Sequence, residues 1–533
     1  MGKSTLDLPT RRWVPQSLGL ATLFIILLPM LLMNGAYTGS TMEVSGTLGV
    51  LSEDMTMAYY STAAGLAIAY PIVRKLRDAA TSKTILLTNL VLQTLLSFIC
   101  GYARNMDVII VCSFFIGFLK AFVMYEVVVL IQPFFSRNRV RSEFYAYFYP
   151  MAFAGGQCSI ALTAQLAYYY QWQYMYYLII IMLLVAIIFV LCFFDFLRRP
   201  IRIPFKAVDW KSIVLAAAVM LMVIYLLTYG RTLDWFASGR LCIYAVLAPL
   251  LFRLFLMRQK DNHERYVSLR IFRSHKPGIG YVFIFFTLLF STTSTLVTSY
   301  MNNVLRIDSL HANVLNMWML PGFAAGGFIC FLWFRWQRWR FRFLVSGGMA
   351  CFAVYLAMLY FGVAVEARYE SLILPIFFRG LGMMVLFIAL ALFVVEDLKP
   401  DIISSNTFFM VGIRSSIVPA LSASLFNNWL FHKQIECMNV LVENMYAGNS
   451  LFYRRYGQSL ANAIASGHSF ESSMQMANNS FYVTLQQQAT LSGIKSIIGY
   501  MLMLAIVLAI VSAFIPFHKT VKVPAVKAGD DMA

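Results

Sequence analysis

Two ionisable side chains, Lys120 and Glu126, lie in the almost uninterrupted apolar run "CSFFIGFLKAFVMYEVVVLIQPFF" at residues 112–135. A charge at the centre of a bilayer costs about 2.5–3.5 kcal/mol or more, so such residues face a cavity or a partner. Their six-residue spacing separates them by about 9 Å along a helix and about 120° around it, which excludes the usual i,i+4 pair. Each side chain therefore needs a partner from another helix, a substrate or a water-filled cavity.

A carboxyl group in a low-dielectric cavity is suited to carrying protons, because burial makes its protonated form accessible near neutral pH. We expect Glu126 to couple transport to protons, since it is the acid placed deepest in any apolar run. The alternative is a structural salt link from Glu126 to a cation such as Arg414. Lys120 is expected to attract an anionic substrate group or, alternatively, to pair with an acid. Five other acids fall at the edges of such runs: Glu43, Asp54, Asp195, Glu396 and Asp397.

The composition shows which elements must position these charges. The 533 residues are 60% hydrophobic and 12% charged, whereas a soluble protein carries about 25% charged residues. Runs of about 20 apolar residues have the length that a bilayer requires. We therefore predict an all-α polytopic membrane protein with fourteen transmembrane helices. The runs are 17–38, 55–74, 84–103, 107–133, 144–168, 173–197, 211–229, 239–257, 277–303, 312–334, 342–364, 369–395, 403–430 and 491–516.

The net charge of +18 is distributed unevenly along the chain. With fourteen helices, 30 of the 42 Lys and Arg residues fall in the two termini and in the loops on the same side as the termini. Positive residues concentrate in cytoplasmic loops of membrane proteins. This distribution predicts cytoplasmic termini, and it explains the basic character without a nucleic-acid partner.

Two long connecting segments organise the chain, an inside linker at 258–278 and an outside segment at about 431–488. We predict an N-terminal six-helix half at 1–203, two inserted helices at 204–260 and a C-terminal six-helix half at 261–533. Repeated halves are typical of secondary transporters, whose substrate site lies between them near the middle of the bilayer.

The outside segment is polar but has helical periodicity. One helical run ends near Gly467, and Ser469 is then placed to cap a second helix with Glu471 in its first turn. The segment is either a loop folded onto its own protein or a docking surface for a periplasmic partner.

Several motifs of the second half resemble one transporter family. The motifs are "MLPGFAAGG" with Leu320, Pro321 and Gly322, "FRGLGMMVLFIAL" with Arg379, and "FFMVGIRSSIVPALSASLF" with Arg414. Over nearly its full length the chain resembles the fourteen-helix drug:proton antiporters of the major facilitator superfamily, EmrB/QacA type. Its outside segment is similar to that of the EmrB-like branch.

The resemblance implies roles for these residues. Arg379 would pack helices or serve a gate, and Pro321 would kink its helix so that it bends between states, because proline removes a backbone donor. The loop "RKLRDAATSK" is similar to the superfamily's signature between the second and third helices and retains Asp78 and Lys83. These two residues fit a latch of the inner gate, or alternatively they are solvated loop charges.

The first half departs from the family pattern at three positions. Arg74 replaces a glycine of the loop signature, and Cys112 replaces the arginine of the fourth-helix motif while Gly117 is retained. The acid of the first helix is missing, and Asn34 is the nearest polar residue. Glu126 is therefore our candidate to replace that acid.

The resemblance implies an inner-membrane efflux permease of a Gram-negative bacterium. It would export amphipathic small molecules by alternating access, use the proton gradient without a cofactor, and work with an HlyD/EmrA-type periplasmic adaptor and a TolC-type outer-membrane channel. The alternative is another major facilitator transporter: an uptake symporter or a lipid, siderophore or metabolite exporter. A membrane enzyme or sensor is the remote alternative, because the sequence has no paired metal-ligand spacing, phosphate-binding glycine loop or nucleophile elbow.

Overall fold

An α-helix satisfies its own backbone hydrogen bonds, which apolar surroundings require of a chain that crosses a membrane. The computed structural model of the chain is built from such helices. It describes residues 8–39, 41–77, 79–135, 141–196, 208–261, 266–273, 275–336, 341–395, 398, 400–443, 450–515 and 517.

The first group of helices contains six long ones and one short one. They are α1 (Gln16–Thr38), α2 (Thr41–Leu48), α3 (Ser52–Arg77), α4 (Ser82–Tyr102), α5 (Met106–Phe135), α6 (Arg141–Tyr169) and α7 (Gln173–Phe193). A pair of helices follows, α8 (Trp210–Tyr229) and α9 (Gly239–Asp261). The pair packs together, and α8 also contacts α3.

The later helices are more often interrupted. They are α10 (His275–Thr292), α11 (Ser294–Asn303), α12 (Ser309–Leu315), α13 (Met319–Trp336), α14 (Phe341–Gly362), α15 (Ile373–Val395), α16 (Pro400–Gly412), α17 (Val418–Glu443), α18 (Ser450–Ala465) and α19 (Phe470–Phe514). A 3₁₀ turn at Asn316–Trp318 joins α12 to α13, and a π-helical turn at Ile413–Ile417 joins α16 to α17.

In the described part of the chain, twelve helical stretches are long and apolar enough to cross a membrane. The long helices α3 and α6, of 26 and 29 residues, are not among them. The polar side chains of Ser61 and Thr62 on α3 are nevertheless buried, because α5, α8 and α16 pack around this helix. A helix enclosed by other helices does not need an apolar face toward lipid.

The helix contacts of the first six-helix group recur in the last one. α3 packs on α5 as α13 packs on α15, and α4 packs on α7 as α14 packs on α19. The contact between α1 and α6 likewise corresponds to that between α10 and α17. Between the two groups, α3 meets α16 and α6 meets α13. The chain is therefore an all-helical bundle of two similar halves with the α8–α9 pair beside them.

The segment around 431–488 is more helical than a loop, since α17 continues without a break to Glu443 and α19 runs without a break from Phe470 to Phe514. The Ser469 side chain accepts a hydrogen bond from the Ser472 backbone N–H at 3.3 Å, and Gly467 has a φ of +83°. The predicted helix end and cap are thus confirmed. α18 folds back on α19, where the Phe452 and Phe481 rings lie 5.2 Å apart.

Candidate transport site

Lys120 lies in the middle of α5 with 4% of its surface exposed. Its Nζ donates a hydrogen bond to Oδ1 of Asn34 on α1 at 2.9 Å. The structure thus brings together two of the residues singled out in the sequence. Over the described ranges, the Lys120 ammonium group forms no ion pair with a carboxylate, so its charge is balanced by one amide dipole.

Glu126 lies near the other end of α5 and is 1% exposed. Its carboxylate accepts hydrogen bonds from Arg77 Nε at 3.1 Å and from Ser82 Oγ at 2.5 Å. These donors sit at the end of α3 and the start of α4. Glu126 thus forms the kind of salt link given as the alternative in the sequence analysis, and its cation is Arg77 rather than Arg414.

Lys83, in the first turn of α4, is 5% exposed. Its Nζ donates to the backbone carbonyls of Leu191 and Phe194 at 3.3 and 3.0 Å and lies 4.8 Å from the centre of the Phe196 ring. A cation at the carbonyl end of a helix is favourable, so Lys83 anchors the end of α7. The other member of the expected latch, Asp78, lies outside the described residues.

Gly117 marks the closest approach of α3 and α5. A Cβ atom at Gly117 would overlap the Thr62 carbonyl oxygen, and a Cβ atom at Gly65 would overlap that of Phe114. Small residues let two membrane helices approach backbone to backbone. The position of Gly117 therefore indicates a packing role.

Leu320, Pro321 and Gly322 lie in the first turn of α13, which begins at Met319 directly after the 3₁₀ turn that separates it from α12. Proline cannot donate a backbone hydrogen bond, which is tolerated in the first turn of a helix. At Gly322 a Cβ atom would overlap the carbonyl oxygen of Phe377 on α15. The motif thus lies at a break in its helix and at a tight contact between helices.

Arg379 lies on α15 and is 4% exposed. Its Nη2 donates to Oδ1 of Asn316 at 2.8 Å and lies 2.8 Å from the Sδ atom of Met319. The Nε and Nη1 atoms are buried without a hydrogen-bond partner. This arginine joins α15 to the break between α12 and α13, and no carboxylate in the described ranges neutralises it.

A cavity of about 270 Å³ lies between the two halves, lined by α3, α5, α6, α15 and α16 together with Arg414. It is nearer the end of the bundle where α5 and α15 finish and where α6 and α16 begin. Most of its wall is apolar or aromatic, and α6 alone contributes five rings. They belong to Phe144, Tyr145, Phe148, Tyr149 and Phe153.

At the opposite end of the bundle the two halves touch. Asn313 on α12 donates a hydrogen bond at 3.4 Å to the carbonyl of Gly39, which follows α1. The same end carries a hydrogen bond of 3.1 Å between Trp235 Nε1 and Asn428 Oδ1. The cavity therefore lies at one end of the bundle, and the two halves are joined at the other end.

Sequence reasoning missed the partners Arg77, Ser82 and Asn316 and the aromatic face of α6. Phe144 and Phe148, like Tyr145 and Tyr149, are four residues apart and share one helix face, so the ring cluster was visible as a pattern. The ion pair was not, because 49 residues separate Arg77 from Glu126. Among the described residues, no group of three or more His, Cys, Asp or Glu side chains could hold a metal ion.

Residues 17–423 match the sequence model of the family described as "Major Facilitator Superfamily". The chain belongs to the Major Facilitator Superfamily. It is a membrane transporter protein of this superfamily rather than an enzyme. No curated protein sequence matches the chain significantly.

Solved structures of other transporters share this superfamily fold. A tetrameric PepTSo2 structure has a TM-score of 0.55 at 12% identity over 93% of this chain and 99% of its own. The peptide transporter POT in complex with sulfate has a TM-score of 0.54 at 11% identity, over 93% of this chain and 95% of its own. The human organic anion transporter MFSD10 has a TM-score of 0.50 at 10% identity, over 93% of this chain and 100% of its own. At such low identity these likenesses concern the fold alone.

Proposed function

We propose that this superfamily member is an efflux permease that exports amphipathic compounds by alternating access, driven by proton entry. The observation that carries the proposal is the aromatic cavity between two similar halves that touch at the far end. Flat rings and apolar side chains bind amphipathic molecules of varied shape, and a second state would open the Asn313 contact.

The proposed topology has fourteen transmembrane helices and cytoplasmic termini. The helices α3 and α6 complete the set, since at 1.5 Å per residue both are long enough to cross a bilayer. The halves are 1–203 and 261–533, with inserted helices at 204–260. In this topology the cavity lies toward the cytoplasm, from which an exporter loads its substrate, and the membrane is the inner membrane of a Gram-negative bacterium.

Glu126 is the proposed proton carrier. Its carboxylate is buried and bonded to Arg77 and Ser82 at the junction of α3 and α4. Protonation removes the negative charge that holds this contact. Proton binding would therefore loosen one inner connection of the first half, which couples protonation to the movement of the helices. Asp78 and Lys83 are retained as the proposed inner latch, with Lys83 fixed to α7.

A sealed preparation of inverted membrane vesicles tests the coupling, because export then appears as accumulation in the vesicle lumen. An acidic lumen should increase accumulation of a neutral amphipathic dye in the wild type. Glu126→Gln should transport at a low rate that ignores the gradient, and Lys120→Met on the same helix should keep the gradient dependence. Gradient-independent accumulation by the wild type would remove proton antiport. Loss of the dependence in Lys120→Met alone would transfer the carrier role to Lys120.

The polar helices beyond the membrane are the proposed docking surface for an HlyD/EmrA-type adaptor that leads to a TolC-type channel. Several apolar side chains there are exposed, among them Val440, Tyr453 and Phe470. Deleting 436–480 removes α18 with the ends of both neighbouring helices. Vesicle transport should survive this deletion while co-purification of the adaptor is lost, and retained co-purification would contradict the docking role.

A further inference from the structure

Arg414 is held in an unusual backbone turn next to the cavity. It lies in the π-helical turn Ile413–Ile417, where the Val418 backbone N–H bonds the carbonyl of Ile413 five residues earlier. Such turns are rare in helices and frequently occur at functional sites. The wider turn occupies the middle of the long helical stretch 402–443 and carries Arg414 into the cavity wall.

The guanidinium group of Arg414 is surrounded by ring faces. Its central carbon lies 5.6 Å from the ring centre of Tyr149, 5.9 Å from that of Phe153 and 5.7 Å from that of Phe387. Aromatic faces attract a cation through their quadrupole, but they do not accept its hydrogen bonds in the plane of the guanidinium group. Arg414 has five N–H donors, and in the described part of the chain none has a hydrogen-bond acceptor.

The cavity consequently has a positive charge that its described wall does not neutralise. Arg414 is the one lining residue with a formal charge among those described. The nearby acid Glu126 is neutralised by Arg77. Lys120 lies one helix turn from the lining residue Met124 and is hydrogen-bonded to Asn34. As a second cation, it does not neutralise Arg414.

We propose that the cavity selects anionic aromatic amphiphiles: compounds of one or two rings with a carboxylate or a similar planar anionic group. The carboxylate accepts the N–H donors of Arg414, and the ring system lies among the aromatic side chains of α6. This substrate class deepens the proposed export function and rests on it. The cavity of about 270 Å³ is at the lower end of the roughly 300–1,000 Å³ of small-molecule pockets, which suits one or two rings.

The geometry explains the preference for an anion over its neutral and cationic analogues. Planar carboxylates match the guanidinium fork with two parallel hydrogen bonds, which a carboxamide or an ammonium group cannot form. An ammonium group would in addition be repelled by Arg414 in surroundings of low dielectric. The aromatic side chains on their own attract the ring system of all three analogues, and their faces also attract an ammonium group, so a preference for the carboxylate has to come from Arg414.

Three probes with the same ring system separate these contributions: 2-naphthoate, 2-naphthamide and 2-naphthylmethylammonium. Their binding to the purified full-length protein is measured by isothermal titration calorimetry in lipid nanodiscs. In the wild type, naphthoate should bind at least about tenfold more tightly than the amide, and the ammonium compound most weakly. In Arg414→Gln the preference for naphthoate over the amide should fall to about twofold or less.

Two further variants keep the test sharp. Arg414→Lys preserves the charge without the planar fork and should show an intermediate preference. Arg379→Gln removes another intramembrane arginine, one that does not line the cavity, and should keep the full preference of the wild type. Because the amide binds through the rings, unchanged amide binding in each variant confirms an intact cavity.

Equal or tighter binding of the amide or the ammonium compound by the wild type would overturn the proposal. So would a naphthoate preference that persists in Arg414→Gln, or no naphthoate binding by the wild type at about 1 mM. Transport of a neutral dye in inverted vesicles distinguishes this failure from failure of the export function. Gradient-driven dye transport without a naphthoate preference would reject the substrate class alone, and a naphthoate preference without gradient-driven transport of either the dye or naphthoate would reject the export function alone.

Discussion

The buried and half-buried charges of the two halves are satisfied in different ways. In the first half, Glu126 is paired with Arg77, Lys120 is bonded to Asn34, and Lys83 is bonded to backbone carbonyls. In the second half, the cations have weaker partners. Arg379 contacts an amide and a thioether and leaves two nitrogens unbonded, and Arg414 contacts rings alone among the described residues.

This difference separates charges that fix the structure from charges that remain available. A buried charge whose donors are all bonded holds helices together, and removing its partner is expensive. A buried cation with unbonded donors is costly in the resting state, and a ligand or a second conformation offsets the cost. The first half therefore contains the fixed contacts at the end of the bundle where the cavity lies, while the second half places Arg414 in the cavity wall.

The largest expected effect comes from breaking the ion pair of the first half. Arg77→Met leaves the buried carboxylate of Glu126 without its cation, and losing one partner of a buried pair costs about 3–5 kcal/mol. The free energy of unfolding, measured by SDS titration of the purified protein in mixed micelles, should fall by this amount.

A double variant provides the control for this pair. Arg77→Met combined with Glu126→Gln removes both charges and should recover most of the lost stability, because no unpaired charge remains. If Arg77→Met alone costs less than about 1 kcal/mol, the pair is solvated like a surface salt bridge and does not hold the end of α3 against α5.

Much of the architecture could be predicted from hydropathy, because a bilayer imposes length and polarity on each helix. The predicted run 173–197 compares with α7 at Gln173–Phe193, and the run 369–395 ends where α15 ends. Local capping was equally predictable, as Ser469 and Gly467 demonstrate. Both kinds of prediction depend on residues near one another in sequence.

Contacts between distant segments could not be predicted in the same way. The sequence shows that Glu126 needs a cation, but choosing Arg77 over Arg414 depends on how α3 and α5 pack, which hydropathy does not report. The same limit hid the pairing of Lys120 with Asn34, although each was a candidate. Hydropathy also placed a loop boundary near 431 where α17 continues to Glu443, since polarity changes at a membrane surface while a helix need not end there.

A smaller effect is expected from the anchor at the end of α7. Lys83→Met removes charge-assisted hydrogen bonds to the carbonyls of Leu191 and Phe194. Hydrogen bonds to charged groups contribute about 1.5–3 kcal/mol, so the unfolding free energy should fall within that range. The exposed Lys211→Met is the matched control and should change it by less than about 0.5 kcal/mol. Equal effects of the two variants would mean that Lys83 does not anchor α7.

The smallest effect is expected at Arg379, although it is as buried as Lys120. Arg379→Met leaves the side-chain oxygen of the half-buried Asn316 without its donor, which costs at most about 1–3 kcal/mol. The substitution also removes a buried charge and the two unbonded nitrogens Nε and Nη1. The resulting gain in stability is similar in size to the cost of the lost hydrogen bond. The unfolding free energy should therefore change by less than about 1 kcal/mol.

Adding Asn316→Leu should make the protein more stable than Arg379→Met alone, because no polar group is then left without a partner. A loss in Arg379→Met as large as that in Arg77→Met would show that the second half also fixes its cations, and the contrast between the halves would be wrong.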